Sequence, residues 1–418
     1  MKILFIGETG SIHVARWTNQ LHGAGWDYRI FHPSTSVYRV RDEFLSGYFY
    51  LPHEALYKPD GMQAEYTWSK KTSIVSIVNK ILQTFGILVH SKDEERHQAL
   101  RTAFLAKLIA EWQPDVIHSL GMFVNWQNSS KMLLGAREIL GGKLPCPWIV
   151  SIWGADLDLY PHLGPTQYLE AEAVMQGCDG ILVEGDRDLE LAYKFGFHGK
   201  ALGKLPAYGG ITWKAQDYCF TELPSKRRVI ILKGRDNTDS ISTGGDPQGR
   251  AMTAMKAFEL CQDVLQDYFI VVMQATPAIE IQAKILSATT NLKITAFPNS
   301  MSLPYPQWLS LLGTARILLA VTVSDGFPGT LVDTMSLGVF PIHSGLQTVR
   351  EWVQDGENGY LVPSEDVHAV AQALRKALGD DSLVDRAGAL NVDLISKNLS
   401  DTVIRPKVMD MYKSLIHS

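Results

Sequence analysis

Short apolar runs alternate with helix-period segments along nearly the whole chain, and that alternation restricts the fold more than any other feature. Lys2–Ile6, Val116–His118, Trp148–Ile152 and Gly180–Val183 read as strands in the first half. Val229–Lys233, Phe269–Met273, Leu292–Ala296, Ile317–Val321 and Val339–His343 read as strands in the second. Strand and helix alternating in this way imply parallel sheets covered by helices on both faces. The fold class expected is α/β, with two doubly wound Rossmann-like domains and a cleft between them. A change of composition around Pro206–Ser225 marks a linker. The division expected is a first domain at 1–208, a linker at 209–225, a second domain at 226–389 and a helical tail at 390–418 that crosses back to the first domain.

The 418 residues suffice for two or three domains with sizeable cores. A net charge of −5 gives no basic face for bulk nucleic-acid binding, so no nucleic-acid partner is expected. Cys146, Cys178, Cys219 and Cys261 are widely spaced with no CxxC, which argues against structural zinc or a disulfide framework and fits a reducing cytosol. The apolar start Met1–Gly7 is too short for a signal peptide, and no run approaches the length of a membrane span. Ile74–Val89 carries apolar residues at a helical period behind Lys70 and Lys71. A core-facing or acceptor-site helix is the preferred reading there; a helix lying on a membrane surface is the other. The location expected is cytoplasmic, with peripheral membrane contact left open.

Residues 324–338 form a strand–loop–helix corner after Ile317–Val321. Asp325 and Asp333 stand eight positions apart, with Gly326 and Gly329 between them. Glycines let main-chain N–H groups approach a ligand, and a helix N-terminus is a ready anion site. Amides for a diphosphate and carboxylates for hydroxyls suit a nucleotide-sugar. The plainer alternative is a capping box, Thr330-x-x-Asp333, with polar loop residues before it.

This corner resembles the signature of retaining glycosyltransferases of family 4, which have the GT-B fold: S-E-G-F-x-x-x-x-x-E, then E-x-x-x-x-G-x-x-G-x-L-V. The second part reads Glu351-Trp-Val-Gln-Asp-Gly356-Glu-Asn-Gly359-Tyr-Leu361-Val362 here. Both family glutamates are aspartates in this chain. The resemblance implies that Asp325 holds donor-sugar hydroxyls, that Asp333 holds the nucleotide ribose, and that Phe327, Pro328, Gly329 and Thr330 line the phosphate. It gives Phe297–Ser300 a place beside the base. Gly234-Arg235 matches the family's phosphate loop; Gln248 stands where a lysine is usual, and Arg250 is the candidate to supply the missing charge. Cations there would stabilise the charge that builds on a departing diphosphate.

In the first domain, Ile6-Gly7-Glu8-Thr9-Gly10-Ser11-Ile12-His13 also looks like the loop of dinucleotide-binding dehydrogenases and epimerases. His13 in the third glycine position and the absence of a Tyr-x-x-x-Lys pair count against that reading. By the glycosyltransferase resemblance, Gly10 and Ser11 approach the donor phosphates, and His13 lies nearby with Arg16. Trp153 stands where many members carry a histidine. Asp156 is expected to line the sugar site with Trp153 shaping it, or else to cap the next element. His118 is expected to face the cleft and orient an acceptor hydroxyl, or to be a satisfied loop histidine. Asp156-Leu157-Asp158 is a D-x-D, but a metal site needs converging ligands, so none is expected.

The function implied is transfer of a sugar, with retention and without metal, from a nucleoside-diphosphate donor to a hydroxyl acceptor in a glycan, a lipid-linked glycan or a small molecule. No resident cofactor is expected; UDP is the leading donor nucleotide, with GDP and ADP open. The alternatives are a sugar-nucleotide epimerase or hydrolase on the same fold, and a noncatalytic nucleotide-sugar-binding partner.

Overall fold

The computed structural model describes residues 1–34, 40–52, 58–66, 92–124, 127–128, 130–218, 222–239, 245–301 and 303–416. Ile74–Val89 and Cys219 lie outside the described residues. By internal contacts the chain divides into Met1–Gly210 with Ile404–Ser418, and Ile211–Val403.

The first unit is built on an eight-stranded parallel sheet. Its strands are β1 (Lys2–Ile6), β2 (Asp27–Phe31), β3 (Tyr48–Leu51), β4 (Gln63–Tyr66), β5 (Val116–Leu120), β8 (Trp148–Ser151), β9 (Gly180–Val183) and β10 (Lys200–Lys204). A short antiparallel ribbon, β6 (Phe123–Val124) with β7 (Gln127–Asn128), lies outside it. The order β10-β9-β8-β5-β1-β2-β3-β4 reverses direction between β1 and β5. β5 and β8 are buried at every residue and β1 at all but Lys2, as expected of parallel strands covered on both faces. The sequence pattern missed β3, β4 and β10. β4 and β10 are edge strands that carry few apolar side chains.

The second unit has a six-stranded parallel sheet: β11 (Val229–Lys233), β12 (Phe269–Ala275), β13 (Lys293–Pro298), β14 (Ala315–Ala320), β15 (Phe340–Ser344) and β16 (Tyr360–Val362). Its order is β13-β12-β11-β14-β15-β16, with the reversal between β11 and β14. Alternate residues feed two cores. Ile230, Leu232, Ile317 and Leu319 pack on one face, and Ile231, Leu318 and Ala320 on the other. Residues 211–225 pack onto this unit: Trp213 Nε1 donates to Ser336 Oγ, and Ser225 Oγ donates to Asp385.

The closing helix, Asp401–Ile416, returns its later residues to the first unit. Trp17 Nε1 donates to Tyr412 Oη at 2.9 Å, so the tyrosine hydrogen points to His118 Nδ1, 2.5 Å away. Among the described residues, no helix is long and apolar enough to cross a membrane.

Candidate functional site

Ligands of open α/β sheets bind beyond the carboxyl ends of the strands where the strand order reverses. In the second unit that point lies between β11 and β14, and charged side chains gather there. Lys233, the last residue of β11, donates from Nζ to Asp325 Oδ2 at 2.9 Å. The Gly326 amide donates to Asp325 Oδ1 at 3.0 Å, and the Thr348 hydroxyl donates to the Asp325 carbonyl at 3.1 Å. Burial alone would raise the Asp325 carboxyl. The Lys233 charge and hydrogen bond, with His343 and Arg235 behind them, reverse this and hold it below the ordinary carboxylate value. Asp325 is thus an ionised acceptor, with its loop tied to β11 and to Thr348.

Arg235 follows one residue after Gly234. Its Nη1 lies 3.2 Å from Asp246 Oδ2, and its buried Nε has no hydrogen-bond partner among the described residues. Gly249 holds this loop down, since a Cβ there would meet the Arg235 carbonyl oxygen at 2.1 Å. The Arg250 amide donates to the Val321 carbonyl, and the Val323 amide donates to the Gln248 carbonyl, so 248–250 is sewn to the residues after β14. The Arg250 side chain is engaged by protein partners: Nε pairs with Glu365 at 2.9 Å, and Nη1 donates to the Pro247 and Gly249 carbonyls. It closes a loop, and the cation at Asp325 is Lys233.

The helix after the loop is Gly329–Ser336, with Pro328 as its N-cap and no side-chain cap. The capping box headed by Thr330 is therefore absent. Pro328 has no N–H to offer an anion, and its carbonyl accepts from Leu331 and Val332. The Gly329 and Thr330 amides open the helix. The Phe327 ring is buried and stacks on Trp352 at 4.4 Å. Asp333 is turned to protein partners: Tyr305 Oη donates to Oδ1 at 2.6 Å and Trp308 Nε1 donates to Oδ2 at 3.0 Å. A ribose hydroxyl would have to compete with these two donors for its oxygens. The shorter aspartate, 5% exposed, ties helix Tyr305–Gly313 to helix Gly329–Ser336.

His343, at the end of β15, was not anticipated. Burial and then the Lys233 charge push its imidazole down to about 4, so it is neutral at pH 7. Nδ1 lies 3.1 Å from the Ser344 carbonyl oxygen, which can only accept, so Nδ1 carries the hydrogen and Nε2 the lone pair. Sequence reasoning treated Lys233 and His343 only as strand ends. Two polar residues closing apolar strands were the available signal.

In the first unit, Ser11 caps helix Ile12–Asn19, its hydroxyl accepting from the His13 amide at 3.2 Å after the turn at Gly10. His13 meets Trp153 edge-on with ring centroids 5.8 Å apart, and the Arg16 guanidinium lies over Tyr208. Gly121 makes room, having φ +78° and a Cβ position only 2.7 Å from the Trp153 ring. Asp156 serves the capping alternative: Oδ2 accepts the Met122 and Trp153 amides, both at 2.8 Å. It positions Trp153 and joins the loops after β5 and β8. Asp158 pairs with Arg187 at 3.0 Å, so the two carboxylates of the D-x-D hold different partners.

His118 is fully buried, a correction to its expected exposure. Tyr412 donates to Nδ1, Nε2 lies 2.8 Å from Ser151 Oγ, and burial pushes the imidazole down to about 3. Glu8, on the loop after β1, is pushed up to about 7 by burial, against the lowering effect of the Gly10 amide. Its Oε1 lies 3.4 Å from His32 Nδ1.

Residues 270–380 match the family described as Glycosyl transferases group 1. That segment contains Asp325, Asp333 and His343 and excludes Lys233 and Arg235. A stretch of 94 residues is 31% identical to a phosphatidyl-myo-inositol mannosyltransferase of Mycobacterium leprae, covering 22% of this chain and 25% of that protein. The chain spans about a quarter of the length of the curated relatives it matches. Among solved structures, sucrose-phosphate synthase from Thermosynechococcus elongatus is similar with a TM-score of 0.70 at 13% identity, covering 100% of this chain and 99% of that one. HepE from Anabaena in complex with UDP-glucose has a TM-score of 0.66 at 12% identity, covering 99% and 100%. The fold of this chain is accordingly GT-B, two Rossmann-like domains with a parallel sheet in each.

Proposed function

We propose that this chain is a retaining glycosyltransferase of the family-4 kind, moving a sugar from a nucleoside-diphosphate donor to a hydroxyl acceptor. The observation that carries the reading is the convergence of Lys233, Arg235 and Asp325 at the reversal point of the second sheet, beside the uncapped start of helix Gly329–Ser336. Cations and main-chain amides that meet a departing diphosphate lower the barrier, because its charge grows as the glycosidic bond breaks. In this reading Lys233, Arg235 and the Gly329 and Thr330 amides hold the diphosphate, and Asp325 accepts from donor-sugar hydroxyls. By the family resemblance, Gly10, Ser11, His13 and Trp153 of the first unit are further candidates for donor contact.

Retention follows if the acceptor hydroxyl attacks on the face the diphosphate leaves, with the diphosphate taking the proton. No metal or resident cofactor enters this scheme. UDP is the first nucleotide to try, given the UDP-glucose in the HepE complex. The acceptor is a hydroxyl on a glycan, a lipid-linked glycan or a small molecule. A cytoplasmic setting, with peripheral contact to a membrane, belongs to the same reading.

The test is calorimetric titration with UDP, GDP and ADP and their common sugar esters, then NMR of the anomeric proton in any transfer product. Saturable binding and a product of the donor's own anomeric configuration are expected. An inverted product overturns retention, and no binding by any nucleotide overturns the reading. A binding-only protein is the second reading, favoured by the engagement of Asp333 with Tyr305 and Trp308. Bound donor with no turnover in the presence of a broad acceptor panel would select it.

A further inference from the structure

His343 Nε2 is a buried lone pair with no hydrogen-bond partner among the described residues. Leaving a buried acceptor unpaired is costly, and its persistence calls for a role. The sheet register suggests one. Leu232 of β11 is paired with Leu319 of β14, and Ala320 is paired with His343 of β15. One register step beyond Leu232, Lys233 stands opposite Ala320. Lys233, Ala320 and His343 therefore form one row across three adjacent strands. Residues in such a row point to the same face. The middle member is the smallest, so a long lysine and an imidazole can approach each other over its methyl group. Lys233 already acts on the ionisation of both His343 and Asp325.

We propose that His343 is a positioning residue for Lys233, its Nε2 providing a second seat for the ammonium that rests on Asp325 in the free protein. When donor hydroxyls engage Asp325, the ammonium turns toward Nε2, keeping its charge at the diphosphate and freeing a carboxylate oxygen for the sugar. An ammonium has three N–H donors and an uncharged imidazole nitrogen accepts one, so the exchange needs no proton transfer. The proposal rests on the glycosyltransferase reading.

Two substitutions separate the two ring nitrogens. His343→Asn places an amide where Nδ1 was, keeping the Ser344 bond and losing the second seat. His343→Gln reaches the Nε2 position and loses the Ser344 bond. The probe is whichever of UDP-glucose, UDP-galactose, UDP-N-acetylglucosamine, GDP-mannose and ADP-glucose the unaltered protein binds most tightly. His343→Asn is expected to weaken that ester about tenfold, on the scale of one hydrogen bond to a charged group. His343→Gln should stay within a few-fold of the unaltered protein. In a Lys233→Met background both substitutions should cost nothing further, a coupling that a purely structural role does not produce. Thermal unfolding of every variant checks folding. If Asn is as good as Gln, or the effects add to that of Lys233→Met, the seat does not exist and the glycosyltransferase reading stands. If the unaltered protein binds no sugar ester of UDP, GDP or ADP, both fall together.

Discussion

Lys233 Nζ lies 2.9 Å from Asp325 Oδ2, joining the end of β11 to the loop after β14 across the point where the second sheet reverses. The two side chains are 15% and 19% exposed, so solvent screens the pair only in part.

Lys233→Met leaves Asp325 charged in a half-buried place. A loss of about 1–3 kcal/mol at pH 7 is expected, below the range for fully buried pairs. The folded-state pKa of Asp325 is depressed by Lys233, so this stability is present above the unfolded carboxylate pKa and fades as pH falls through the folded value. Urea unfolding at pH 7 and pH 3 checks it: the gap between the two proteins should narrow at the lower pH.

Arg235→Ala should weaken nucleoside-diphosphate binding about 10–100-fold, the worth of a charge-assisted contact. Arg250→Ala, whose side chain is held by Glu365 and loop carbonyls, should change it by less than about threefold. Calorimetry with UDP measures both. Equal losses would return Arg250 to the phosphate site.

Tyr412→Phe removes the hydroxyl between Trp17 and His118, leaving a buried donor and a buried acceptor unpaired. A loss of about 2–4 kcal/mol is expected by chemical unfolding. The buried His118 resists protonation down to about pH 3, whereas the unfolded chain takes up that proton near 6.5. Its contribution to stability therefore declines as pH falls between those values.

Glu8 acts in the opposite direction. Its folded pKa of about 7 exceeds the usual 4.5, so the native state holds the extra proton and loses stability as pH rises through that window. Glu8→Gln should remove this loss, a relative gain on the order of 3 kcal/mol at pH 8 over pH 4. Unfolding midpoints across that range give the answer; a flat difference would return Glu8 to ordinary titration.

Chelation should leave donor binding unchanged. Asp156 is bound to two main-chain amides and Asp158 to Arg187, so the D-x-D does not converge on one point. Calorimetry with and without EDTA tests this, and lost binding restored by Mg²⁺ would reject it.

The strand–helix alternation made the central strands of both sheets legible, because strands buried on two faces are rich in apolar residues; β3, β4, β10 and β16 escaped it. The corner at Asp325 was legible from its glycines and paired carboxylates. What escaped was decided by packing. Asp156 and Asp333 have the residue type of ligand contacts, but main-chain amides in one case and two aromatic donors in the other claim their oxygens. His118 looked like a strand-end ligand until Tyr412 arrived from far along the chain to cover it. Lys233 and His343 become a pair only through strand register, which links residues separated in sequence and is not visible in local pattern.

Tyr412 has a consequence for how the molecule is made. Its partners Trp17 and His118 precede it by 395 and 294 positions, so both leave the ribosome long before it does. The imidazole and indole of the first unit stay unmatched until helix Asp401–Ile416 emerges. Until then the nascent first unit carries a buried polar site that its own residues do not complete.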